Sequence, residues 1–313
     1  MSLISFVIPC YRSEHTIETV VSEIERTMNF QTRDTYEIIL INDGSPDGTF
    51  LKINELCERN HNLIGLDMAK NFGQHAALMA GLRFSKGDYV VCLDDDGQTP
   101  AEEVYKLLDK LEEGYDVVYA SYTQKKHSVF RNFGSAVNSK MAELLLNKPK
   151  DLYLSSYFAA RRFVIEEVIR YENPYPYVIG LILRTTNNIT CTQVQHRERE
   201  EGKSGYTIGK LLALWINGFT AFSVKPLRIA TYLGMFSAIA GFFYAIWTLF
   251  NKILNPAAPV GWTSTIIILL VLGGMILFVL GLIGEYVGRM YISMNNSPQY
   301  VVKTIIKGED RKI

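Results

Sequence analysis

The densest chemistry in the sequence is Asp94-Asp95-Asp96-Gly97-Gln98. Three adjacent carboxylates and an amide cluster hard oxygen donors, which Mg²⁺ or Mn²⁺ favours when substrate phosphates complete its shell. The run follows the apolar stretch Asp88–Leu93 and precedes Thr99-Pro100-Ala101-Glu102-Glu103, which has the form of a helix start. Two readings stand: a divalent-metal site, or a solvated acidic turn that caps the next helix.

Three further motifs close short apolar runs. Pro9-Cys10-Tyr11-Arg12-Ser13-Glu14 offers Tyr11 as a wall and Glu14 as a polar contact for a nucleotide base; alternatively Ser13 caps a helix. In Asn42-Asp43-Gly44-Ser45-Pro46-Asp47-Gly48-Thr49, Asp43 can accept hydrogen bonds from a base or ribose; alone, the segment is a turn in which Ser45 or Asp47 caps the following helix. Lys70-Asn71-Phe72-Gly73-Gln74-His75 can bring Lys70 to a diphosphate, with Gly73 permitting close approach, and a lone histidine such as His75 is more often structural. None of the three is specific by itself. Their coincidence at the ends of successive apolar runs carries the functional reading.

Those runs have the form of strands. Leu3–Pro9, Tyr36–Asn42, Leu63–Met68 and Asp88–Leu93 are near-continuously apolar, as strands covered on both faces are. Ile17–Met28 and Thr49–Asn60 carry apolar residues at helical spacing. Alternating strands and helices predict βαβ units and a Rossmann-like sheet, in which ligands sit at the carboxyl ends of strands. Residues 121–228 are mixed: a strand over Asp116–Ala120 leads into them, and within them helices over Asn132–Leu146 and Val164–Tyr171 and a strand near Phe158–Arg161 are expected. Ile208–Phe222 is amphipathic and reads either as a membrane-surface helix or as an ordinary buried one.

Ile229–Phe250 and Trp262–Gly284 contain no charged side chain and meet the requirement of about 20 apolar residues for crossing a bilayer. Lys225 and Arg228 precede the first span and Arg289 follows the second, whereas the connecting loop carries only Lys252, so both ends are expected on the cytoplasmic side. Small residues Gly273-Gly274 and Gly281 would allow close helix packing in a homo-oligomer. The expected organisation is a catalytic domain over 1–206, a juxtamembrane helix over 207–228, two spans within 229–288 (about 229–250 and 262–284), and a cytoplasmic tail over 289–313.

Lys+Arg and Asp+Glu balance at 32 each, and no basic stripe with interleaved aromatics appears, which argues against a nucleic-acid partner. Cys10, Cys57, Cys92 and Cys191 are scattered, without zinc-ligand spacing, as in a reduced cytosolic compartment.

Taken together, Pro9-Cys10-Tyr11, Ile41–Ser45 with Asp47-Gly48-Thr49, Asn71–Ala77, Asp94–Gln98, Arg199–Tyr206 and Gly284-Glu285-Tyr286-Val287-Gly288-Arg289 make the chain resemble glycosyltransferase family 2. The resemblance is to its polyprenyl-phosphate glycosyltransferases, such as dolichyl-phosphate mannose synthases and bacterial undecaprenyl-phosphate glucosyl and aminoarabinose transferases, and covers nearly the whole chain. It implies an α/β GT-A catalytic domain followed by a two-helix transmembrane hairpin in the inner membrane. Asp94, Asp96 and Gln98 match the positions that hold Mg²⁺ or Mn²⁺ against the donor diphosphate, and Asp43 and Tyr11 match positions lining the nucleotide. With Pro9, Glu14, Lys70, Gly73, Asp94 and Asp95 these form the implied donor site. Arg131 resembles the arginine that approaches the acceptor phosphate, while Arg199, Lys203 and Ser204 lie in the segment that closes over the site. Asp95 stands where a small apolar residue is usual, and Gly97 where leucine is. The implied reaction is inverting transfer of one sugar from a nucleoside diphosphate, UDP by default, to polyprenyl phosphate. Two other readings remain at this stage: a same-fold transferase with another lipid or glycan acceptor, and a catalytically silent accessory that binds nucleotide sugar.

Overall fold

Apolar runs near the start of the chain form the strands β1 (Leu3–Cys10), β2 (Thr35–Asn42), β3 (Leu63–Met68) and β4 (Tyr89–Cys92), almost wholly buried. The computed structural model describes residues 1–122, 152–195, 197, 225–254, 261–295 and 297–308. Between these strands lie α1 (Ile17–Gln31), α2 (Thr49–Arg59) and α3 (Gln74–Phe84). A 3₁₀ turn at Ala101–Glu103 then leads into α4 (Val104–Glu112) and β5 (Val117–Tyr122). β6 (Phe158–Arg161), α5 (Arg162–Ile169), α6 (Val178–Thr185) and β7 (Ile189–Val194) follow.

The strands join one eight-stranded sheet in the order β7-β5-β6-β4-β1-β2-β3-β8, where β8 is Val302–Lys307. β4, β1, β2 and β3 run parallel, and β6 and β8 run antiparallel to their neighbours. The carboxyl ends of the parallel strands therefore share one edge with the amino ends of β6 and β8. Side-chain alternation along β1 divides the core between two faces. Ile4, Phe6, Ile8 and Cys10 share a cluster with Ile17, Val20 and Ile24 of α1, Ile53 and Leu56 of α2, and Val104 and Leu107 of α4. The opposite face receives α3, where a Cβ on Gly81 would stand 2.5 Å from Val7 Cγ1 and 2.7 Å from Ile41 Cδ1. Every residue of α3 from Ala76 to Leu82 is buried, so it shows no apolar stripe that a periodicity argument could detect.

The predicted strand near Phe158–Arg161 is β6, and the predicted helix over 164–171 is α5, starting two residues earlier. The expected helices over 132–146 and 208–222 lie outside the described residues.

Contacts divide the chain into two units, Met1–Ile208 with Asn296–Ile313, and Gly209–Asn295. The second contains α7 (Lys225–Leu254) and α8 (Trp262–Met294). Leu227–Trp247 and Val271–Met294 are long and apolar enough to cross a membrane. Their large side chains face outward, with Phe236 72% and Leu277 71% exposed, the opposite of a helix pair in a soluble core. The segment expected as a tail is differently built: α8 continues to Met294, and β8 adds to β3 as an edge strand.

Candidate functional site

Asp94 follows Leu93 at the carboxyl edge, and a turn with Gly97 at φ +66° brings Asp96 Oδ1 to the Gln98 amide, 3.1 Å away. The Asp94 carboxylate is held on both sides. Oδ1 accepts from Gln74 Nε2 at 2.9 Å, and Oδ2 accepts from the Ser156 hydroxyl. Gln74 is the first residue of α3 and Ser156 lies just before β6, so two separate parts of the fold aim this side chain. Asp95 is directed the other way, accepting from the Tyr11 amide at 3.0 Å and from the Ser13 hydroxyl. It fastens the β1–α1 loop to the acidic turn. The Gln98 carbonyl accepts from the Arg197 amide at 2.7 Å.

Asp43 organises a second layer. Its Oδ1 and Oδ2 accept from the Phe72 and Gly73 amides at 2.7 and 2.9 Å, and Asn71 Nδ2 donates to the Asp43 carbonyl at 3.0 Å. Asn42 Nδ2 donates to Asp67 Oδ1 at 2.7 Å, so β2 and β3 are latched just below this loop. The β2–α2 turn crosses the same place: Gly44 has φ +59°, and a Cβ there would lie 2.5 Å from the Asn71 nitrogen and closer still to the Lys70 carbonyl carbon. Gly44→Ala combines a left-handed backbone with a backbone clash and is expected to cost about 2–4 kcal/mol. Chemical denaturation would measure it, and a loss below about 0.5 kcal/mol would refute the packing described.

The remaining donor-side candidates have defined places. Glu14 Oε2 accepts from the Gly48 amide at 3.0 Å, which ties this carboxylate to the start of α2. Tyr11 is exposed, with the Arg12 guanidinium 5.7 Å from its ring centre. Lys70 is exposed and rests its ammonium 5.0 Å from the Phe72 ring centre. Pro9 lies within β1 opposite Ile41. Arg131, Arg199, Lys203 and Ser204 lie outside the described residues.

Burial, with repulsion from Asp96 and Asp95, pushes the Asp94 carboxyl up to about 6, against hydrogen bonds from Ser156 and Gln74 that favour its charge. Burial also raises Asp95 and Asp43 above the ordinary carboxylate range. Three carboxylates, Asp94, Asp95 and Asp96, follow one another on this turn. Among the described residues, no group of three His, Cys, Asp or Glu side chains is arranged to hold a metal. Two of these carboxylates, Asp94 and Asp96, could hold a hard cation such as Mg²⁺ if phosphate oxygens and waters filled its other positions. The buried Cys10, Cys57 and Cys92 thiols are free, and burial raises each of them, which marks them as core groups. His75 is lowered to about 4 by burial and meets Tyr177 edge-on at 5.0 Å.

Sequence reasoning missed Gln74, Ser156 and Ser13 as partners of the acidic turn. Gln74 was legible as part of the loop after β3, but nothing near Ser156 in the sequence points to Asp94.

A mixed sheet of this order, with ligand loops and an acidic turn along one carboxyl edge, defines the GT-A class. The chain belongs to glycosyl transferase family 2, which matches residues 5–169, and residues 225–290 match the GtrB C-terminal hairpin. Its similarities run end to end. It is 31% identical to the uncharacterized glycosyltransferase YkcC of Bacillus subtilis, over 99% of this chain and 96% of that one. It is also 31% identical to the undecaprenyl-phosphate 4-deoxy-4-formamido-L-arabinose transferase of Aeromonas hydrophila, over 98% and 95%. The prophage-derived bactoprenol glucosyl transferase of Shigella flexneri matches at 31%, over 97% and 99%. Among solved structures, mannosyl-3-phosphoglycerate synthase from Rubrobacter xylanophilus shares the fold, with a TM-score of 0.56 at 16% identity, covering 72% of this chain and 74% of that one. Glucosyl-3-phosphoglycerate synthase from Mycobacterium tuberculosis does so with 0.52 at 20%, covering 74% and 78%.

Proposed function

We propose that this glycosyltransferase moves one sugar from a nucleoside diphosphate donor, a UDP-sugar by default, onto undecaprenyl phosphate at the cytoplasmic face of the membrane, with inversion. The observation that carries the reading is the acidic turn at the carboxyl edge, in a chain that matches named undecaprenyl-phosphate and bactoprenol transferases from end to end. Mg²⁺ or Mn²⁺ bound by Asp94 and Asp96, with Gln98 beside them, would neutralise charge on the departing diphosphate. Gln74 and Ser156 orient Asp94 for that task, and Asp95 keeps Tyr11 close to it. Asp43 holds the 69–73 loop, where Lys70 is available to the diphosphate.

The acceptor phosphate, with a second pKa of about 6, is largely dianionic at neutral pH and needs positioning more than a general base. Arg131, Arg199, Lys203 and Ser204 are assigned to that positioning. Both ends of the apolar hairpin are assigned to the cytoplasmic side. The pairing of β8 with β3 supports the two ends lying on one side, because a strand hydrogen-bonded into the catalytic sheet cannot lie across the bilayer from it.

The test is to incubate detergent-purified protein with undecaprenyl phosphate, Mg²⁺ or Mn²⁺, and a panel of UDP-, GDP- and dTDP-sugars, reading lipid by mass spectrometry. One donor is expected to give a new glycolipid in step with nucleoside diphosphate release, and Asp96→Ala to abolish both. Tight nucleotide binding without product from any donor would overturn the reading.

A further inference from the structure

The chain that follows the apolar hairpin pairs back onto the catalytic sheet. Gln299 Nε2 donates to the Asn173 and Tyr171 carbonyls, at 2.9 and 3.4 Å, beyond the end of α5. The Tyr300 ring centre lies 6.0 Å from the guanidinium carbon of Arg83 in the last turn of α3. The Val301 carbonyl accepts from the Ala69 amide at 2.9 Å, directly before the loop that Asp43 holds. β8 then runs antiparallel along β3 from Met68↔Val302 to Ile64↔Lys307, with a register shift at Asp67/Met68. Lys303 Nζ stands 3.9 Å from Asp67 Oδ2, on the carboxylate that accepts from Asn42. Ile306 packs on the core beside Gly65.

These contacts converge on the two ends of one functional unit. α3 carries Gln74, which aims Asp94, and residues 69–73 carry the amides that Asp43 captures. Without β8, residues 69–73 would border an open sheet edge, since β3 would be the last strand. An unpaired edge has a row of unsatisfied amides and frays more readily than an internal strand. We propose that residues 299–307 are a positioning strap for the donor side of the site: by closing the edge next to β3 and tying down Ala69, they hold the 69–73 loop in the register that Asp43 requires. The Lys303–Asp67 pair contributes little, because its lysine is mostly solvated and the contact is long at 3.9 Å. The backbone pairing and the Gln299 and Tyr300 contacts are the working parts. The catalytic consequence rests on the proposed transfer reaction; the structural one does not.

The test uses the full-length protein with Ile305→Pro and Ile306→Pro combined. Of two adjacent residues in an edge strand, one directs its N–H towards the neighbour, so the pair removes a ladder bond in either register. Hydrogen exchange is followed in peptides covering 69–73 and, as an internal reference, in β1 and β4. Exchange at 69–73 is expected to rise about tenfold with the reference strands unchanged. UDP binding in the presence of Mg²⁺, and KM for the donor, are expected to weaken about tenfold while kcat changes less than about threefold. A general loss of structure would lower kcat and raise exchange everywhere, and would overturn the strap as a local device. Should the double proline prevent folding, Gln299→Ala with Tyr300→Ala leaves the strand intact and is expected to give the same pattern at about threefold. Unchanged exchange at 69–73, or unchanged UDP affinity with raised exchange there, would also overturn the strap. A wild-type protein that neither binds UDP nor makes glycolipid would overturn the transfer reaction alone, and the exchange result would still decide the strap.

Discussion

Asp94→Asn is expected to abolish glycolipid formation while making the metal-free protein more stable at alkaline pH. The loss of transfer follows from the proposed metal role of Asp94, whose removal would leave one of two carboxylates, and a drop of at least about 10³-fold, equivalent to about 4 kcal/mol of transition-state stabilisation, is anticipated. The gain in stability follows from the environment of Asp94. Its carboxyl is displaced from an ordinary value of about 3.9 to about 6 by burial and by Asp96 and Asp95. A raised acid pKa means that the folded state binds the proton more tightly than the unfolded chain. This contribution to stability is therefore complete below about pH 3.9 and is lost as pH rises to about 6. The full displacement corresponds to about 3 kcal/mol. Asp94 is only partly buried and keeps a solvated edge, which reduces the expected gain for the amide to about 1–2 kcal/mol at about pH 8. The Ser156 hydroxyl can accept from the new amide, so no partner is orphaned. Urea denaturation of metal-free protein at about pH 8 and about pH 4 gives the result: an advantage for the variant at the higher pH that disappears at the lower. A variant less stable than wild type under the alkaline condition would show that the acidic turn is not under electrostatic strain.

Asp43→Ala is expected to remove stability and donor binding together. Its two oxygens satisfy the Phe72 and Gly73 amides, and each amide left unpaired in a partly buried place costs about 1–3 kcal/mol. A destabilisation of about 2–4 kcal/mol is predicted, with UDP affinity falling by at least about tenfold because the loop that carries Lys70 loses its anchor. Asp43→Asn keeps the shape and one acceptor oxygen and should fall between the two. Calorimetric titration with UDP and thermal unfolding of both variants provide the measurement. If Asp43→Ala unfolded like wild type yet failed to bind UDP, Asp43 would be a direct nucleotide contact and not the loop anchor described here.

Much of this molecule can be read without coordinates. Short, near-continuous apolar runs bounded by turn residues suit a sheet covered on both faces, and Leu3–Cys10 and Leu63–Met68 behave accordingly. The acidic run after β4 and the turn after β2 declare themselves by residue type, because clustered hard carboxylates and turn glycines have few alternative uses. Two long uncharged apolar segments are equally plain. The amino-acid sequence by itself thus determined the parallel half of the sheet, the edge on which ligands would gather, and the presence of the hairpin helices.

Only the tertiary structure decided how the edge is completed. β6 and β8 are antiparallel, so their amino ends, not their carboxyl ends, arrive beside the acidic turn and the 69–73 loop. That reversal brings Ser156 to Asp94 across 62 positions of sequence, and it brings Val301 to Ala69. Long-range pairing also separates carboxylates that look equivalent in the chain: Asp94 is held by Gln74 and Ser156, whereas Asp95 is spent on Tyr11 and Ser13. The physical reason is that strand direction and side-chain partnership depend on which segments pair at long range, and local residue patterns carry no record of that choice.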